Sequence, residues 1–387
     1  MKITDVKIYI VDAPTAVAGT GGAARGLDRR RTWVLVKIGT DEGLSGIGDA
    51  SQPAGGGTAI SSRILDVLRE SLIGEDPANI ELIWQRLYRR FTFTGPRGPI
   101  TRAISGIDMA LWDIKGKSLG KPVYDLLGGP VRESVPLYTH PALGSPAELA
   151  ESSRQLVAEG FTALKTDPFM AATDGITSYM NGQISVSGVE RGAELIGAMR
   201  DAVGPEIEIL IDVHANFNVP SAIRAANRLE QYDITWFEEP VQPDSYQALR
   251  QVKESVRVPI CVGERLFTRY DFAPILENRL ADYIMPDVCW TGGISELKKI
   301  ATMAEAYYVP ISPHNVQSPI QIMAGAHVMR TVPNFYRLEI ASLQMQIYAE
   351  AFDRPLDISD GELHLPDRPG LGIELNMDYV ESNSVIV

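Results

Sequence analysis

Eight short apolar segments, most of them separated by a stretch long enough for a helix, recur between residues 135 and 340. They are VPLYT (135–139), TALKT (162–166), IEILIDV (207–213), ITWFE (234–238), PICVG (259–263), YIMP (283–286), VPISP (309–313) and FYRLEI (335–340). Alternating strands and helices form parallel sheets, and eight such units fill the roughly 250 residues of a closed α/β barrel. The sequence therefore predicts an α/β fold built around a parallel barrel.

The residues before this barrel predict a separate α+β unit. Apolar, β-branched residues at 32–39 and 44–49 flank the turn TDEG, which predicts a β-hairpin. Apolar positions then recur at helical spacing through 59–74, 79–90 and 101–118.

After residue 355 the chain returns to short strand signals punctuated by glycine and proline. About 30 residues cannot bury a core of their own, so we expect this tail to rejoin the first unit. The predicted organisation is an α+β domain at 1–128, a barrel at 129–355 and a tail at 356–387.

The charge of the chain restricts its partners. The 36 Lys and Arg against 49 Asp and Glu give a net charge of −13, which repels phosphate backbones and anionic membranes. Cys261 and Cys289 cannot build a disulfide framework, the first residues lack the features of a signal peptide, and no apolar stretch is long enough to span a membrane. We expect a cytoplasmic protein with neither nucleic acid nor membrane as a partner.

Nearly every predicted barrel strand ends in an ionisable residue. In such barrels the catalytic groups lie at the carboxyl ends of the strands. The residues at these positions are Lys165, Asp167, Asp212, His214, Glu238, Glu264, Asp287, His314 and Glu339.

Three of these acids, Asp212, Glu238 and Glu264, end consecutive strands and would converge at the barrel mouth. Like charges at close range are unfavourable unless a cation compensates them, and oxygen ligands favour Mg²⁺. The alternative is that the carboxylates pair with Arg265, Arg269 or lysines. The set of three favours the metal site.

Glu239 is adjacent to Glu238 in WFEEP and is the competing ligand on that strand. Successive strand residues point to opposite faces, so the residue directly before Pro240 should point away from the site. We therefore predict Glu238 as the ligand.

Two histidines fall at strand ends. His314 needs an orienting partner to act as a base near neutral pH, and Asp287 on the preceding strand is placed to accept its second N–H. His214 shares a strand face with Asp212, so both can project into one site. The remaining histidines are interpreted as structural, with His140 the most open case: His140, His327 and His364.

Two further segments are interpreted as loops. Residues 167–188 are too long for an ordinary strand-to-helix loop, and such loops are usually lids or binding segments. The glycine-rich run at 19–26 precedes a strand instead of following one into a helix, which disfavours a dinucleotide site.

Three stretches together resemble the enolase superfamily, specifically its mandelate racemase subgroup, over essentially the whole chain. They are AISGIDMALWDIKGKSLGKPVYDLLGG (103–129), the series LIDVH, WFEEP and VGER, and PDVCWTGGISELKKIATMAEAY followed by SPHN. The tail DRPGLGIEL is similar to the ending of the family's capping domain.

The resemblance implies a modified (β/α)7β TIM-type barrel under a cap made from the N-terminal region and the tail, with specificity loops near 15–30 and 50–58. It also implies a homo-oligomer and one Mg²⁺ per subunit on Asp212, Glu238 and Glu264. Its other implied roles are a base, His314 with Asp287, and a carboxyl group on the last strand, Glu339, that hydrogen-bonds the substrate carboxylate or the intermediate.

Strand two departs from the racemases of the family, which carry Lys-any-Lys there. This chain has Lys165, Thr166 and Asp167, so the second lysine is replaced and two-base racemisation is not expected. The Asp-any-His of strand three instead resembles galactonate- and mannonate-type sugar-acid dehydratases.

We therefore expect a hydro-lyase acting on a small sugar acid. His314 would remove the C2 proton of an aldonate, Mg²⁺ and Lys165 would meet the developing charge, and the C3 hydroxyl would leave with a proton from His214 or Tyr179. Asp167 and Arg265 are candidate substrate-binding residues. The alternatives are a cycloisomerase of an anhydro- or lactone-type sugar acid using the same enediolate, and a non-catalytic binding relative.

Overall fold

The computed structural model describes residues 1–13, 31–51, 57–170, 181–341 and 345–385. The first unit contains an antiparallel sheet of β1 (Ile3–Ala13), β2 (Arg31–Thr40) and β3 (Ser45–Asp49), covered by α1 (Gly57–Arg69), α2 (Ile80–Arg90) and α3 (Pro99–Leu119). The predicted hairpin is β2 and β3, and the three predicted helices are present. The proposed specificity loops fall mostly outside the described residues.

Close packing of the hairpin on α3 explains two glycines of this unit. A Cβ on Gly48 would collide with the carbonyl oxygen of Gly106 on α3, and a Cβ on Gly46 would collide with that of Ala110. The helix itself begins at Pro99, whose fixed φ suits a first turn, and ends at the left-handed Gly120.

The barrel follows a short helix, α4 (Val123–Leu126). Its strands are β4 (Val135–Tyr138), β5 (Ala163–Thr166), β6 (Glu208–Asp212), β7 (Trp236–Glu238), β8 (Ile260–Val262), β9 (Tyr283–Ile284) and β10 (Leu338–Glu339). The seventh predicted strand is reduced to Ile311, which bridges Ile284 and Phe335 in parallel. Parallel pairing of β10 with β4 closes the ring, which confirms the predicted (β/α)7β barrel.

Helices cover the outside of the ring. They are α5 (Pro146–Ala158), α6 (Val186–Val203), α7 (Val219–Leu229), α8 (Tyr246–Ser255), α9 (Thr268–Glu277), α10 (Val288–Thr291), α11 (Gly293–Ala306), α12 (Pro319–Met329) and α13 (Met345–Ala351). A 3₁₀ turn, Glu230–Tyr232, follows α7. Within the described residues, no helix combines the length and apolarity needed to cross a membrane.

The strands are buried on both faces, which explains their continuous apolar runs. On β6, Leu210 joins a cluster inside the ring with Trp236 and Tyr138, whereas Ile209 and Ile211 join the larger core shared with the helices. This inner cluster fills the barrel below the strand ends.

The tail contacts the barrel as well as the first unit. It contains β11 (Asp357–Ser359), β12 (Glu362–His364), α14 (Met377–Asn383) and β13 (Ser384–Val385). β12 pairs with β4 of the barrel, and only β13 pairs with β1. The tail therefore rejoins the first unit, as expected, but it also pairs with the barrel, which was not expected.

Buried polar contacts join the first unit to the barrel. Asp108 on α3 accepts hydrogen bonds from the backbone N–H and the hydroxyl of Ser295, and Asp49 accepts from Ser318. Burial raises the pKa of Asp108 to about 7, despite the hydrogen bonds from Ser295. These buried hydrogen bonds connect the cap to the barrel.

Candidate active site

Asp212, Glu238 and Glu264 form a compact carboxylate cluster at the barrel mouth. Asp212 and Glu238 are register partners at the ends of β6 and β7, and Glu264 follows β8 by two residues. One carboxylate oxygen of each lies within 4.8 Å of the others, and all three residues are buried. This oxygen-only donor set fits a hard divalent cation such as Mg²⁺.

The charges around the cluster agree with that fit. Within the described part of the chain, seven buried carboxylates lie in this region: Asp167, Asp212, Glu238, Glu239, Glu264, Asp287 and Glu339. Their direct ion-pair partners here are Lys165, Arg265 and three histidines. Even with every imidazole protonated, negative charge exceeds positive charge, so a bound cation would be stabilising.

Lys165 and Arg265 occupy the cluster itself. Lys165 Nζ lies 2.9 Å from Glu238 Oε1 and 3.7 Å from Asp212 Oδ2. Arg265 contacts Glu264 and donates to the carbonyl oxygen of His214 at 3.1 Å. The alternative pairing of these acids with Arg265 is therefore present, whereas Arg269 pairs with Glu296 instead.

Glu238 and Glu239 point in different directions. Glu238 accepts from Lys165 and, at 2.9 Å, from Trp236 Nε1 inside the ring. Glu239 accepts from the backbone N–H of Gly263 at 2.7 Å and has a left-handed φ of 47°. This geometry agrees with the predicted choice of Glu238 as the cluster member.

His314 and Asp287 form a buried dyad. His314 Nδ1 lies 2.7 Å from Asp287 Oδ2, which also accepts from Gln321 Nε2 at 2.7 Å. The other ring nitrogen, Nε2, lies 3.2 Å from Glu264 Oε2 at the edge of the carboxylate cluster. The indole of Trp290 covers the imidazole, with ring centroids 5.1 Å apart. The dyad can therefore orient Nε2 as a base toward a molecule bound at the cluster.

His214 forms a second pair at the opposite edge of the cluster. Its Nδ1 lies 2.8 Å from Asp167 Oδ2, and its Nε2 lies 3.2 Å from Asp212 Oδ2. Burial alone would lower the pKa of His214, but Asp212 and Asp167 raise it above its ordinary value. The backbone of His214 has a φ of 51°, a left-handed conformation that costs energy outside glycine and is concentrated at functional sites.

Glu339 contacts Lys165, His140 and the backbone of Asn315. Its Oε1 lies 2.7 Å from Lys165 Nζ and 2.8 Å from His140 Nε2, and its Oε2 accepts from the backbone N–H of Asn315. Burial alone would raise the pKa of Glu339, but Lys165, His314 and His140 hold it well below its ordinary range.

The structure thus brings nine of the predicted strand-end residues together and adds His140, which the sequence reasoning set aside. His140 follows the first barrel strand by two residues, and that position was the available signal. Asp167 and Arg265 are both engaged by protein groups, and Tyr179 lies outside the described residues.

Comparisons with known proteins agree with this architecture. Residues 5–128 match the mandelate racemase/muconate lactonizing enzyme N-terminal domain, and residues 148–379 match the enolase C-terminal domain-like family. A solved member of the enolase superfamily from Salmonella Typhimurium superimposes with a TM-score of 0.90 at 32% identity, covering 100% of this chain and 99% of that one.

Curated relatives include two kinds of enzyme. The D-xylonate dehydratase of Haloferax volcanii is 34% identical over 93% of this chain and 87% of its own length. The D-galactonate dehydratase of Pectobacterium atrosepticum is 34% identical over 91% of both chains. The D-galactarolactone cycloisomerase of Agrobacterium fabrum is 35% identical over 98% of this chain and 97% of its own.

Proposed function

We propose that this chain, which belongs to the mandelate racemase/muconate lactonizing enzyme family of the enolase superfamily, is a Mg²⁺-dependent acid-sugar dehydratase. The observation that carries the proposal is the arrangement of His314 and His214. Each has one ring nitrogen on a buried aspartate and the other 3.2 Å from a different member of the carboxylate cluster. Such a pair supplies a base and an acid to one bound molecule, as elimination requires.

His314 Nε2 removes the proton from C2 of the sugar acid, and Asp287 stabilises the imidazolium that forms. Asp212, Glu238 and Glu264 would hold Mg²⁺, which would supply positive charge for the substrate carboxylate. The carbon acid also needs preorganised charge from the chain, and Lys165 places a buried ammonium beside the same cluster.

Elimination then forms the C2=C3 bond as the C3–O bond breaks. The hydroxyl leaves as water with a proton from His214 or Tyr179, and the enol takes a proton at C3 to give a 2-keto-3-deoxy acid. Glu339 would accept a hydrogen bond from the substrate or the enediolate, and its contacts with Lys165 and His140 keep its carboxylate ionised.

Relatives of this chain named as dehydratases of D-xylonate, D-galactonate, D-gluconate and D-mannonate define the substrates to test. Mg²⁺-loaded protein is incubated with D-xylonate, D-galactonate, D-gluconate and D-mannonate, and 2-keto acid formation is measured. With the best substrate, His314→Asn should abolish exchange of the C2 proton in deuterated water. Exchange at the wild-type rate in that variant would overturn the assignment of the base.

A cycloisomerase is the second candidate, because a relative with that activity aligns over 98% of this chain. The same enediolate would expel a ring oxygen in place of a free hydroxyl. Adding D-galactarolactone to the panel separates the two: ring opening without loss of water supports the cycloisomerase. A chain retained only for binding would convert none of these compounds. Such a chain would be expected to have lost some of the carboxylates of the cluster or the base, His314.

A further inference from the structure

We infer that Asp167 is the positioning residue of the general acid: it holds His214 through Nδ1 so that Nε2 is presented to the leaving hydroxyl. The inference rests on the proposed function and deepens it, because it assigns a task to the strand-two residue that departs from the racemase pattern.

The first observation is that the two histidine–aspartate pairs have the same construction. Asp287 Oδ1 accepts the backbone N–H of Cys289 two residues later, and its Oδ2 contacts His314 Nδ1. Asp167 Oδ1 accepts the backbone N–H of Phe169 two residues later at 3.0 Å, and its Oδ2 contacts His214 Nδ1 at 2.8 Å.

The second observation is how firmly the Asp167 carboxylate is held. Its Oδ1 also accepts the N–H of Met170 at 3.0 Å, and its side chain is 4% exposed. Both oxygens are therefore engaged by the protein, and the carboxylate has one orientation. An acceptor held at Nδ1 fixes the imidazole ring, so Nε2 is the ring nitrogen that faces the carboxylate cluster.

The third observation is the position of His214 relative to His314. Their Nε2 atoms contact Asp212 and Glu264, which lie on either side of Glu238 in the order of strands. The two nitrogens thus flank whatever is bound at the cluster. His314 Nε2 gains the C2 proton, and His214 Nε2 gives its proton to the C3 oxygen as the C3–O bond breaks.

The test separates proton removal from elimination. Asp167→Asn should still exchange the C2 proton of the best aldonate in deuterated water, because His314 and Asp287 are unchanged. Its kcat for 2-keto acid formation should fall by about 100-fold or more, with little change in KM. Asp287→Asn is the matched control in the other dyad and should lose exchange together with dehydration.

A double-mutant cycle distinguishes positioning from a merely structural role. If Asp167 acts through His214, adding Asp167→Asn to His214→Asn costs little more activity. Independent, additive losses would overturn the inference, and so would full dehydration by Asp167→Asn. Asp167→Ser, whose hydroxyl can accept the Phe169 N–H, replaces the asparagine variant if that protein does not fold.

A substrate-free readout keeps this inference distinct from the proposed function. The chain has five histidines, so ¹⁵N-histidine labelling gives a simple imidazole spectrum of the Mg²⁺-loaded protein, and His214→Asn identifies its signals. Nδ1 of His214 should be protonated in the wild type and should change in Asp167→Asn, whereas His314 signals stay. His214 signals that do not change in Asp167→Asn would overturn the pairing, even if the enzyme dehydrates sugar acids. If the protein is inactive on every sugar acid, the spectral test can still be carried out.

Discussion

Replacing Lys165 with methionine tests how the buried charges of the site are balanced. Methionine keeps most of the apolar stem and removes an ammonium that lies 2.9 Å from Glu238 and 2.7 Å from Glu339. Breaking a buried ion pair from one side costs about 3–5 kcal/mol. Burial and Asp212 already raise the pKa of Glu238, so this residue can take up a proton in the variant. We therefore expect the free energy of unfolding to fall by an amount near the lower end of this range, about 3 kcal/mol.

The loss should depend on pH with a definite sign. Lys165 helps to hold the pKa of Glu339 well below its ordinary 4.5, so this stabilisation is present above pH 4.5 and is lost as the pH falls. The difference between wild type and Lys165→Met should be largest near neutral pH and should shrink under acid.

Urea unfolding in chelator, followed by tryptophan fluorescence at several pH values, measures this difference. Lys121→Met is the control, because its pair with Asp125 is a 3.5 Å surface contact worth about 1 kcal/mol or less. A Lys165→Met effect no larger than this control, or one that grows as the pH falls, would refute the reasoning.

Three further changes have defined outcomes. Gly48→Ala forces a methyl group against the Gly106 carbonyl and should cost about 1–3 kcal/mol or more in thermal unfolding; a neutral effect would contradict the close packing. Asp108 has a pKa raised to about 7, so the folded state binds the extra proton and its contribution to stability falls as pH rises from about 4 to 7. Asp108→Asn should flatten that part of the stability profile, and an unchanged profile would argue against a protonated Asp108. His140→Asn removes the ring that contacts Glu339 and should lower kcat/KM about tenfold, as loss of one hydrogen bond to a charged group does; unchanged kinetics would place His140 outside the reaction.

The barrel was predictable from sequence because its strands are buried on both faces and therefore appear in the sequence as continuous apolar segments. Two elements show the limits of that signal. β1 was not among the strands predicted from the sequence, and a register shift between Ile3 and Asp5 interrupts its pairing with β2. Ile311 is all that remains of the seventh strand, because bridge pairing on each side suffices to close the ring there.

The candidate site was predictable where neighbouring strands bring their ends together. Asp212 and Glu238 end adjacent strands, and a rule about strand ends finds them. His140 was missed because its partner, Glu339, is 199 residues away and becomes a neighbour only when β10 closes on β4. The pairing of Asp167 with His214 likewise depends on side-chain directions that no sequence spacing specifies.

In the proposed function, the chain forms an enediolate from a sugar acid and then eliminates water. The most direct measurement is the ¹H NMR spectrum of products formed from the aldonate panel with Mg²⁺ in deuterated water. We expect a 2-keto-3-deoxy acid that carries one solvent deuterium at C3, and no product when the metal is chelated. Absence of any 2-keto acid across the panel, or a product without deuterium at C3, would contradict it.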